Sequence, residues 1–107
     1  MDAQDRVAAF VADNDLEAPP AYRLLDLASE LGELGKEVNE STDYGTDPDA
    51  AAVAEDEVGD ALFALLALAE AVDVNAEAAL ETALAKYDDR IERGGSAGSA
   101  GKTGGGR

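Results

Sequence analysis

Two pairs of carboxylates have the spacing to do chemistry: Glu30 with Glu33, and Glu57 with Asp60. Residues three apart on a helix project from one face, so each pair is a two-toothed clamp wherever its segment is helical. Like charges so placed repel, and two facing pairs repel more unless a cation lies between them. Carboxylate oxygens alone suit a hard cation, Mg²⁺ or Mn²⁺, which keeps part of its water and takes phosphate oxygens as further ligands. A site of that kind can clamp a phosphate chain and acidify a water for attack on it. Taken alone, the spacing is a weak signal, because glutamates three apart are common on exposed helices. Glu37 belongs to neither pair and is held only as a supporting or surface residue.

Stepping from one periodic segment to the next, the chain reads as four helices with no strand alternation. The first runs over Ala3 to Asp13, with Val7, Phe10 and Val11 at helical spacing. The second starts at Pro20 or Ala21 and continues to about Ser41, with Leu24, Leu27, Ala28, Leu31, Leu34 and Val38 on one stripe. Glu30 and Glu33 sit at the edge of that stripe. Asp47 before Pro48 reads as a cap and first turn, which predicts a third helix from Pro48 to Val72. Its stripe of Val58, Leu62, Leu65 and Ala69 lies apart from Glu57 and Asp60. Its second half is apolar nearly all round, as in a helix surrounded by others. Asn75 caps a fourth helix with Leu80, Leu84, Tyr87 and Ile91 on its buried stripe, which Gly94 ends. The fold class expected is all-α, an antiparallel four-helix bundle. A chain this short has trouble covering the third helix from within, so a homodimer or homotetramer is expected.

Length and charge set further bounds. The 107 residues suit one domain, with residues 1–93 able to fold and 94–107 (GGSAGSAGKTGGGR) expected to form a disordered tail. Eight basic against twenty-four acidic residues give a net charge of -16, which argues against binding nucleic acid through its phosphates. Most of these carboxylates are expected to form a salt-adapted, solvated surface. Thermal stability should therefore rise from low to molar KCl, and equal melting temperatures in the two would refute the expectation. There is no cysteine. The N-terminus lacks the pattern of a signal peptide, and the near-apolar run Ala61 to Ala69 is too short to span a membrane, so a cytoplasmic protein is expected.

The segments SELGELGKEV and DEVGDALFALLALA closely resemble the two signature helices of the MazG-like, all-α nucleoside triphosphate pyrophosphohydrolases, whose pattern is Glu-x-x-Glu, a spacer, then Glu-x-x-Asp. Glu30 and Glu33 fall on the first pair, beside Gly32 and Leu34. Glu57 and Asp60 fall on the second, beside Gly59, Leu62 and Phe63, across a spacer of twenty-three residues. The resemblance, which spans about Leu24 to Arg93, implies that the four carboxylates bind magnesium and that a nucleoside triphosphate is cut to monophosphate and pyrophosphate. Glu33 can instead serve as the general base. KYDDR resembles the family's basic C-terminal segment, which makes Lys86 and Arg90 phosphate-binding candidates; surface ion pairs with Asp89 or Glu92 are the competing reading. An asparagine that some relatives carry in this region is absent here.

Other chemistries fit less well. A di-iron bundle normally needs Glu-x-x-His, and the chain has no histidine. A calcium loop sought in DYGTDPDAAAVAEDE has Pro48 at the position of its turn glycine and Ala54 at its twelfth. GKT in the tail follows no strand and opens no helix, so it is no phosphate loop. Phe10, Tyr22, Tyr44 and Phe63 can stack on a base but more often pack in a core or loop. The alternative of another class is a non-catalytic helical oligomerisation or regulatory nucleotide-binding module, which would not need all four acidic positions.

Overall fold

A computed structural model describes residues 2–94; the tail expectation for 94–107 lies outside the described residues apart from Gly94. The fold class is all-α: four helices, and no strand among the described residues. No helix among them is long and apolar enough to cross a membrane. The chain divides into two units, residues 1–74 and 75–107.

The first unit holds α1 (Ala3–Asp13), α2 (Pro20–Ser41), a 3₁₀ turn (Pro48–Ala50) and α3 (Glu55–Ala71). The Asp2 carboxylate caps α1 by accepting from the Asp5 amide at 2.8 Å. Asp15 and Asp73, both left-handed, follow the ends of α1 and α3 and let the Leu16 and Val74 amides reach back to Val11 and Ala69. Pro20 opens α2 at a position where its missing N–H costs nothing. The loop between α1 and α2 is fastened by Arg23, whose guanidinium donates to the Leu16 carbonyl.

The third helix departs from expectation. Asp47 makes no side-chain cap, Pro48 starts only a three-residue 3₁₀ turn, and α3 begins at Glu55. Ala51 is extended, and two side chains of α2 hold the segment that follows it. Ser41 Oγ accepts from the Ala52 amide at 3.0 Å, and Glu37 Oε1 accepts from the Ala54 amide at 2.8 Å. Together they tie the chain straight until α3 starts.

Ser41 therefore lies opposite Ala52 and Glu37 opposite Ala54, while further back along α2 Arg23 shares a cavity with Ala67 and Ala71. The two helices run antiparallel. Facing α3, α2 presents Arg23, Leu27, Glu30, Leu34, Glu37 and Ser41, its buried and half-buried residues. The corresponding row of α3 is Glu57, Ala61, Ala64 and Leu68. Phe10 of α1 meets Phe63 of α3 edge to face at 6.1 Å, and Gln4 donates to Glu70 and to the Val74 carbonyl, so α1 runs antiparallel to α3. Ala64, Leu66 and Ala67 are the buried apolar residues among those described.

These rows correct the stripes expected from periodicity. Leu24, Leu31 and Val38 of α2, and Val58, Leu62 and Leu65 of α3, are each 39–54 % exposed. Each lies one position beyond a facing residue, about 100° around its helix. In an antiparallel pair such positions project to the same side, so the six form one apolar strip. Asp60, Phe63 and Ala67 precede the facing positions of α3 and project to the opposite side, where α1 packs.

The second unit is α4 (Ala76–Glu92). The Asn75 side chain caps it by accepting from the Ala78 amide at 2.8 Å. Gly94, with φ of 86°, ends it, as the sequence predicts, but Leu80, Leu84, Tyr87 and Ile91, expected as its buried stripe, are all exposed.

Candidate metal centre

Glu30 comes from the middle of α2, and Glu57 and Asp60 from the first two turns of α3. Carboxylate oxygens of all three lie within 4.8 Å of one another. Glu30 and Glu57 are half-buried in the facing rows, and Asp60 is exposed at the side. Three negative groups this close form an all-oxygen set open to solvent on one flank, which fits a hard divalent cation retaining water. Glu33 stands outside the group of three and is exposed.

The Glu57 carboxyl is held above the ordinary carboxylate range, first by its partial burial and then by the carboxylates of Glu37, Asp56, Asp60 and Glu33. The folded chain thus holds this proton more tightly than the unfolded chain does. Stability should fall as pH rises from the ordinary carboxylate range through the raised one, and a divalent cation should offset the loss. Denaturant titrations over a pH series, with and without MgCl₂, check this. The slope should be shallower in Glu57→Gln, and an unchanged slope would count against the electrostatic account.

A cavity of about 280 Å³ lies farther along the same unit, lined by Val7 and Val11 of α1, Arg23 of α2, and Ala67, Glu70 and Ala71 of α3. Arg23 is seven residues from Glu30, roughly 10 Å along the helix and on the same row. It is 8 % exposed, and Asp26 Oδ2 approaches its Nη1 only to 4.0 Å. Arg23 belongs to no motif in the sequence, yet its place one heptad before Glu30 marks it as facing inward.

Lys86 and Arg90 belong to the second unit. Both sit over the Tyr87 ring, at 5.2 and 5.8 Å from its centroid, and Asp89 pairs with Arg93 at 3.3 Å. Phe10 and Phe63 pack on each other, Phe10 remaining half-exposed, and Tyr22 and Tyr44 are exposed.

No protein-family model matches the chain. Over 75 residues it is 37 % identical to YpjD of Bacillus subtilis, an uncharacterised protein; the match spans 66 % of this chain and 66 % of that one. The crystal structure of YpjD, which describes that protein as a candidate pyrophosphatase, matches with a TM-score of 0.65 at 34 % identity, over 81 % of this chain and 90 % of the other.

Proposed function

Because the chain belongs to the family of Bacillus subtilis YpjD, we propose that it is a pyrophosphatase, and more narrowly a MazG-like, magnesium-dependent hydrolase cutting nucleoside triphosphates to monophosphate and pyrophosphate. The observation that carries the reading is the convergence of Glu30, Glu57 and Asp60 from two helices onto one point, their oxygens within 4.8 Å. These three would hold Mg²⁺ or Mn²⁺, with Glu33 as a fourth ligand. A cation there supplies charge neutralisation to phosphate oxygens and makes water more acidic.

The chain's own groups do the rest. Glu33, outside the group of three, would take the proton of an attacking water if it does not ligate the ion. The cavity at Arg23 suits the nucleoside: its walls are mainly small and apolar, and a phosphate chain at the carboxylates leaves a base roughly one heptad away. The buried guanidinium offers donors to acceptor atoms on a base or sugar.

We further propose that the apolar strip of α2 and α3 is covered by a second copy of the chain, giving a homodimer or a tetramer built from it. Six half-exposed apolar side chains form a charge-free band on a protein of net charge -16, and a twofold axis would lay two identical bands against each other.

The test is pyrophosphate release from canonical and modified nucleoside triphosphates, with magnesium and with excess EDTA, at low and molar KCl. Magnesium-dependent release supports the reading. No release from folded protein under any condition would favour the non-catalytic nucleotide-binding module.

A further inference from the structure

The start of α3 lacks a cap of its own. Its N-cap residue is Ala54, which has no side chain to offer, and its first turn carries Glu55, Asp56 and Glu57. The Ala54 amide is satisfied instead by Glu37, seventeen residues earlier on α2, at 2.8 Å. One turn on, Ser41 Oγ accepts from the Ala52 amide at 3.0 Å and lies 3.3 Å from both the Ala52 and the Val38 carbonyls, which compete for its one proton. Glu37 and Ser41 are four residues apart and share a face, so they form a clasp from α2 onto the three residues before α3.

The clasp lies in line with the centre. Glu30 is two turns back from Glu37 on the same row of α2, and Glu57 follows Ala54 by three residues. Fixing Ala54 to Glu37 sets both the axial position and the rotation of α3 against α2. That decides whether Glu57 and Asp60 come within reach of Glu30.

We propose that Glu37 is a positioning residue of the metal centre: by accepting the Ala54 amide it caps α3 from outside, and with Ser41 it sets the register that brings Glu57 and Asp60 to Glu30. The proposal rests on the reading of the three carboxylates as a cation site.

Mn²⁺ binding to the full chain, by calorimetry and without nucleotide, tests it. Glu37→Ala should weaken Mn²⁺ about tenfold or more, the scale of lost supporting hydrogen bonds at metal sites. Glu37→Gln keeps an acceptor oxygen and should stay within about threefold of wild type. Ser41→Ala, which changes no charge, should weaken binding in the same direction as Glu37→Ala. Equal weakening in Glu37→Gln and Glu37→Ala would assign the effect to charge and overturn the proposal, as would wild-type affinity in both. Hydrogen exchange at the Ala54 amide gives a second readout, valid also if Glu37→Ala is destabilised. The amide should be protected in wild type and Glu37→Gln and exposed in Glu37→Ala. If the wild type binds no Mn²⁺, the cation reading fails, and the clasp is then decided by this amide: unchanged protection in Glu37→Ala overturns it.

Discussion

Asp60→Asn and Glu57→Gln are each expected to lower nucleotide turnover by about a thousandfold or more while helicity is retained. Carboxylate oxygens of Glu30, Glu57 and Asp60 come from two helices and lie within 4.8 Å of one another, so removing one anionic oxygen would leave a cation one carboxylate partner fewer. Charge neutralisation by a metal contributes several kcal/mol to a phosphoryl transition state, and each ~1.4 kcal/mol is a factor of ten in rate. Folding should not suffer, since both substitutions also relieve repulsion, and Glu57 is the carboxyl held above its ordinary range by its neighbours. Equilibrium unfolding at neutral pH should show these variants as stable as wild type or more so. Steady-state pyrophosphate release, with circular dichroism as the control, measures both halves. Activity within tenfold of wild type would remove these residues from the reaction.

The second large effect concerns assembly. Leu62→Asp, or Leu31→Asp, should convert the protein to a monomer by light scattering at concentrations where the wild type is assembled. Both residues sit half-exposed in the strip formed by α2 and α3. Covering a side chain of this type contributes up to about 1.5–3 kcal/mol, and a twofold interface counts every substitution twice. An aspartate adds the cost of stripping water from a charge. The dissociation constant should rise at least a hundredfold, and high salt should rescue assembly only in part. A wild type that is monomeric at all salt concentrations sinks the proposal of self-association.

Local signals carried far in this chain. The start of α2 and both ends of α4 were legible because Pro20, Asn75 and Gly94 act on backbone within a few residues of themselves; the Asp2 cap of α1 was not read from the sequence. The start of α3 was not legible, since its cap comes from Glu37 across a loop and the Asp47–Pro48 pair spends its signal on a short 3₁₀ turn. Three of the four carboxylates singled out do converge, both from α3 but only Glu30 from α2, so the three-residue interval is realised as a pair on α3 alone. Periodicity could not say which of two adjacent rows faces inward. Leu24, Leu31 and Val38 make the more apolar row of α2, yet the row against α3 is Arg23, Leu27, Glu30, Leu34, Glu37 and Ser41. Hydrophobicity alone misplaces such a helix by one residue wherever a functional polar row is turned inward and an apolar row outward.

The centre and the apolar strip occupy different sides of the α2/α3 pair: Asp60 projects one way, Leu62 the other. Copies joined through the strip would carry their centres on outward flanks, with two helix thicknesses of packed side chains between them. Filling one centre then changes nothing that its neighbour's substrate touches. Substrate saturation should be hyperbolic, with a Hill coefficient of about one at every magnesium concentration.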